Sequence, residues 1–167
     1  MNLGGTIDLV DGAAYAEQEV NLPLDALNRE VYVVTDISID HEQFGFDAAL
    51  GGTTSISAHV AKTSQDALIF VNDPTCVGTI TARTIQGGAG NLGAGAYQVT
   101  MQPDEQSTGT SRDYLSIIAT SNFFVGGLFD TTTGGQPNRS IFVRLTGYRA
   151  QADLAVYSAL IAEEINS

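Results

Sequence analysis

With 167 residues, 43% of them hydrophobic, the chain is about one domain long and can bury roughly two thirds of its unfolded surface. Nineteen acidic residues against seven basic ones give a formal charge of −12, and such a surface repels phosphate backbones, which argues against direct nucleic-acid binding. No apolar run approaches the roughly 20 residues of a bilayer-spanning helix, and a lone cysteine, Cys76, leaves stability to packing, without an intramolecular disulfide.

Met1 to Val10 lacks the basic and continuously apolar regions of a secretory signal. Residues 1–29 carry a single cation, Arg29, so no basic arm that could neutralise a genome is expected there. Ala13–Val20 could be helical and Leu22-Pro23-Leu24 extended, so this stretch reads as an N-terminal arm whose structure depends on its neighbours.

From residue 30 onward, alternation with a period of two predicts eight strands: Val31–Asp40, Thr53–Lys62, Ala67–Asn72, Val77–Gln86, Ala96–Met101, Tyr114–Thr120, Phe123–Asp130 and Ser140–Arg149. Turn-rich segments separate them. The last run alternates most cleanly, with Ile141, Val143 and Leu145 on one face and Phe142, Arg144, Thr146 and Tyr148 on the other. After Ala150 the period changes. Leu154, Tyr157, Ile161 and Ile165 recur at helical spacing beside Val156 and Leu160, which predicts one helix of about four turns. Asp153 suits its N-terminal end, whereas Glu163 and Glu164 oppose the dipole at the other, so the helix must be held by its apolar stripe.

Eight strands, no βαβ alternation and one terminal helix predict an all-β fold: an eight-stranded antiparallel jelly-roll sandwich (30–150) with a C-terminal α-helix (151–167). A seven-stranded immunoglobulin-like sandwich is the competing architecture, although its Cys and Trp markers are absent.

Motifs for chemistry are few. Asp40-His41-Glu42-Gln43-Phe44-Gly45 begins like a zinc-protease helix, but Gly45 stands where the second histidine is needed. His59 alternates out of phase with Ile56, Ala58 and Val60, so it is expected to face solvent or a neighbouring subunit. No Gly-x-Ser-x-Gly elbow exists for a serine nucleophile. Cys76 follows a turn without a basic neighbour and reads as a buried small hydrophobe. Gly87–Gly95 lacks the Lys-Ser/Thr of a phosphate loop and precedes a strand, so it reads as a hairpin loop. Asp36 and Asp40 lie about 13 Å apart along an extended strand, too far to share one ion. With His41 and Glu42 they form a solvated acidic edge, an intersubunit metal being the minority reading. Asn138-Arg139-Ser140 is a glycosylation triplet by pattern alone. No catalytic, cofactor or metal residue is therefore assigned.

More informative are apolar residues on what should be the outer face. If Val31, Val33, Ile37 and Ile39 point inward, Tyr32 and Val34 point outward, and so do Phe142, Arg144 and Tyr148 on the last strand. In a jelly roll the first and last strands are neighbours, so these five residues form one expected interface patch, covered either by the terminal helix or by another subunit.

The segment Ile141-Phe-Val-Arg-Leu-Thr-Gly-Tyr-Arg-Ala-Gln-Ala-Asp-Leu-Ala-Val-Tyr-Ser-Ala-Leu160, a last strand running directly into a terminal helix, resembles the end of single-jelly-roll major capsid proteins of tailless icosahedral viruses. The resemblance spans residues 30 to 165. It implies a non-enzymatic subunit that self-assembles into a virion shell with copies of itself and other capsid proteins, with no cofactor and no small-molecule substrate. Lack of a basic arm points to the membrane-lined relatives, whose shells surround an internal membrane surface. A carbohydrate-binding or adhesin-like sandwich is the alternative, although no tryptophan is present as a sugar platform.

Overall fold

The computed structural model describes residues 1–12, 15–44, 52–87, 97–101, 114–132 and 137–165. Among the described residues, nine strands precede one helix: β1 (Asn2–Leu9), β2 (Ala16–Asn21), β3 (Glu30–His41), β4 (Gly52–Ala61), β5 (Cys76–Gly87), β6 (Tyr97–Met101), β7 (Ser116–Ile118), β8 (Asn122–Thr131), β9 (Arg139–Gln151) and α1 (Leu154–Ile165). They form a four-stranded sheet in the order β1-β9-β3-β7 and a five-stranded sheet in the order β2-β8-β4-β5-β6, and every pairing is antiparallel. The chain crosses between sheets so that its first strand lies beside its last and its second beside its second-to-last. That is jelly-roll topology. Strand β6 is the addition, joined antiparallel to β5 at the sheet edge.

The inner faces enclose one core. Ile7 and Leu9 of β1, Ile37 of β3, Ile56 and Val60 of β4, Val125 and Phe129 of β8, and Ile141, Val143 and Leu145 of β9 are all buried there. The expected phase of the last strand is the observed one. Two features of the sequence reading change. Residues 1–29, read as an arm, supply β1 and β2, and Ala13–Val20, read as a possible helix, ends in a strand paired with β8 from Ala16 onward. Ala67–Asn72, read as a strand, belongs to the β4–β5 connection. With five apolar residues in a row, it has no alternation to bury one face and expose the other.

The larger correction concerns β3. Tyr32 and Val34, expected on the outer face, are fully buried in the core at 0% exposure, while Val31 and Val33 face outward. The cause is a bulge: the register against β9 shifts between Val34 and Asp36, so Thr35 is an extra residue that reverses the alternation. Upstream of it even-numbered side chains point inward, and downstream Ile37, Ile39 and His41 do so. The Tyr32 hydroxyl donates to the Met1 carbonyl at 2.7 Å. Gly147 lies opposite Val34, where a Cβ would collide with the Val33 carbonyl oxygen, so this point of β9 accepts no side chain.

Candidate functional site

Each sheet has an outer face that is half covered and half open. On the β1-β9-β3-β7 sheet, α1 covers one half. Val31, Val33 and Ala119 are buried beneath it, with Ile117, Ala150, Tyr157, Leu160 and Ile161 packed around them. Asp153 caps the helix, its Oδ1 accepting from the amides of Ala155 and Val156 at 2.9 Å each. The helix runs 12 residues, closer to three turns than four. Its two C-terminal glutamates oppose the dipole but have specific partners. Glu164 is buried, and its two oxygens accept from the amides of Ala119 and Thr120 at 2.9 Å each. Glu163 lies 3.6 Å from the buried Lys62 ammonium.

The helix thus covers the outer apolar residues of β3, not the whole expected patch. On the open half, Phe142 and Tyr148 remain 47% and 54% exposed with Arg144 exposed between them. These three lie on one face of β9, and across from Arg144 stands Gly4, which adds no side chain beyond the strand. Tyr32 and Val34 do not join them.

On the β2-β8-β4-β5-β6 sheet the covered half is built around His59. Its outward phase is as read from the sequence, but it is fully buried, because the β4–β5 connection and Tyr15 lie over it. The Ile69 amide reaches His59 Nδ1 at 3.3 Å. An amide only donates, so Nδ1 is the bare nitrogen and the ring proton sits on Nε2, facing the Tyr15 hydroxyl at 3.2 Å. Tyr15 passes its own proton toward Glu17 Oε1 at 2.9 Å. Glu17 also accepts from Ser64 Oγ at 2.6 Å and from the Gln65 amide at 2.8 Å. Gly126 of β8 makes room for this layer: a Cβ there would collide with the Tyr15 hydroxyl and come within 2.8 Å of His59 Cε1. Burial pushes the His59 pKa down, partly offset by Glu17 and Asp73, and pushes that of Tyr15 up, with Glu17 adding to it.

The open half of this sheet holds a shallow depression of about 420 Å³ lined by Thr53, Ser55, Ser57, Thr81, Arg83, Asp130 and Thr132. Arg83 and Asp130 stand on either side of Ser55 in one cross-strand row, so the charges form rims over a floor of small hydroxyls. The sequence signal for it was Thr53, Ser55 and Ser57 alternating against Ile56, Ala58 and Val60.

Residues considered for catalysis do not converge. His41 and His59 belong to different sheets. His41 points inward, its Nδ1 2.8 Å from the Glu42 carbonyl and its ring against Phe44, while Asp40 lies on the exposed side. His41 and Asp40 are therefore on opposite faces, and the acidic edge does not form one ligand set. Among the described residues, no three His, Cys, Asp or Glu side chains are grouped to hold a metal. Cys76 is half-buried, and loss of solvent pushes its thiol up to about 11. Most of Gly87–Gly95 lies outside the described residues. No described helix is long and apolar enough to cross a membrane.

No protein-family model matches the chain, and no curated protein matches it in sequence. Among solved structures it is similar to VP1 of Trichodysplasia spinulosa-associated polyomavirus in complex with GM1 oligosaccharide, at 10% identity and a TM-score of 0.39 over 90% of this chain and 95% of that one. It is also similar to human polyomavirus 12 VP1 in complex with 3'-sialyllactosamine, at 12% identity and a TM-score of 0.36 over 83% of this chain and 82% of that one. At that degree of overlap the fold is described by the strand order itself.

Proposed function

We propose that this chain is a structural capsid subunit that associates with copies of itself into an icosahedral virion shell. The observation that carries the reading is the jelly-roll strand order together with a half-covered outer sheet face, on which Phe142, Arg144 and Tyr148 stand exposed beside the docked helix. Large aromatics and arginine are the residue types enriched at protein interfaces. In this reading the subunit has no catalytic role and its partners are other subunits. The finer reading, a shell around an internal membrane surface, rests on the formal charge of −12, which disfavours contact with a packaged phosphate backbone.

Size-exclusion chromatography with light scattering, followed by negative-stain imaging, tests the proposal. Rings, capsomers or shells are the expected species. Phe142→Asp and Arg144→Glu should each shift the population toward monomer while leaving the circular dichroism spectrum unchanged. A chain that stays monomeric at every concentration and salt condition would overturn the reading.

A second reading, a carbohydrate-binding module, is favoured by the hydroxyl-floored depression between Arg83 and Asp130. It predicts that immobilised glycans retain a monomer and that Arg83→Ala abolishes retention.

A further inference from the structure

The connection from Lys62 to Thr75 crosses the outer face of the five-stranded sheet and ends in an apolar tip, where Phe70 and Val71 are 59% and 71% exposed. The tip itself is a tight turn, the Asp73 amide bonding the Phe70 carbonyl at 2.9 Å. What holds this strap down differs along its length. Near its start, Ser64 and Gln65 bond Glu17, and near its end Thr75 bonds Asp73 and the Lys62 amide. At Ile69, between these ends, the polar attachment to the sheet is the bond from its amide to the bare Nδ1 of His59.

We propose that His59 is an acid-sensitive latch: protonation of its Nδ1 abolishes the acceptor for the Ile69 amide and releases the middle of the strap, with its apolar tip, from the sheet. The physical reason is donor against donor. In the neutral ring Nε2–H faces Tyr15 and Nδ1 accepts from Ile69, so both nitrogens are matched. A proton added at Nδ1 of this buried ring would face the N–H of half-buried Ile69 with no acceptor between them, an arrangement that costs more than the bond it replaces.

The surrounding charges set the direction. Glu17 on β2 and Asp73 on the strap favour the cation, and burial opposes it more strongly. Asp66 on the strap acts on Tyr15 and not directly on the ring, and the Lys62 ammonium turns away to Glu163 of α1. Gly126, the β8 neighbour of His59 in the sheet, carries no charge. The net shift is downward, so the latched state holds its full stability above the ordinary histidine pKa of about 6.5 and loses it as pH falls toward the depressed value. Within that window the open fraction grows by up to about tenfold per pH unit, because the released ring binds a proton that the latched ring does not.

Hydrogen exchange of the intact protein between about pH 7.5 and 4.5, corrected for the intrinsic pH dependence of amide exchange, reads this directly. Protection in 66–72 should fall on acidification below about pH 6.5, by up to about tenfold per pH unit, while amides of Ile56 and Val125 keep theirs. His59→Asn offers a non-titrating oxygen near the position of Nδ1, and the fall should vanish in that variant. Equal loss in His59→Asn would overturn the latch and assign the effect to carboxylates such as Glu17. Unchanged protection of the wild type would overturn it outright. If the variant does not fold, the His59 ring and the Ile69 amide can be followed together by NMR in the wild type. Coincident titration supports the latch, and opening of Ile69 while the ring stays neutral refutes it.

Discussion

One extra residue, Thr35, decides which of two adjacent side chains is structural. Tyr32 fills the core and Val31 lies under the helix, so Tyr32→Ala should cost about 3–5 kcal/mol by denaturant unfolding, the range for truncating a buried aromatic. Phe142→Asp should change stability by less than about 0.5 kcal/mol, because the ring is already half in solvent. Val143→Asp, one residue along and facing the core, should prevent folding by burying an unpaired charge. A Phe142→Asp variant that unfolds beside a harmless Val143→Asp would mean that β9 is out of phase by one residue. At Cys76, a thiol pushed up to about 11 by burial stays protonated across the neutral range. Its labelling by a thiol reagent at about pH 8 should be far slower than that of a model thiol, since only the thiolate reacts.

Among the elements, α1 depends on its C-terminal contacts. Glu164 replaces the hydrogen bonds that a further strand would give to Ala119 and Thr120, so Glu164→Ala leaves two amides without their acceptor. The expected loss is about 2–4 kcal/mol, measured as destabilisation together with new binding of a hydrophobic dye over Val31 and Val33. Asp153→Ala should cost about 1 kcal/mol through the lost cap. How far these elements were legible follows from what each one buries. Strand β9 alternates because its inner face meets a core and its outer face mostly meets water, and that signal survives in the sequence. Strand β1 was missed because Gly4 and Gly5 dilute its pattern, leaving Ile7 and Leu9 as its buried apolar residues. Strand β2, Ala16–Asn21, is a mostly polar edge strand with no apolar period to find. The bulge at Thr35 leaves no mark in composition at all. Neither does the reach of the strap over His59, a tertiary contact with no local periodicity, and this is why the histidine's phase was readable but its burial was not.

At the scale of the whole molecule, the formal charge of −12 sets the conditions for association. In the proposed assembly, packing copies side by side accumulates like-charge repulsion, which the proposed apolar contacts of Phe142 and Tyr148 would have to overcome. Salt should therefore favour assembly: the Debye length falls from about 10 Å at 0.1 M to about 3 Å at 1 M. Light scattering across a salt series should show growth with ionic strength, and assemblies that strengthen as salt is removed would assign the contacts to ion pairs through residues such as Arg144. The strand order has a second consequence, in time and not in space. Among the described residues β1 pairs in its sheet with β9 alone, so during synthesis it waits for a partner made more than a hundred residues later. At about 5–20 residues per second that delay is many seconds, during which Ile7 and Leu9 lack the sheet partner that completes their burial. Closure of the four-stranded sheet is thus a late step, dominated by contacts distant in sequence, and nascent chains halted before Arg139 should remain accessible to protease across β1, Asn2–Leu9.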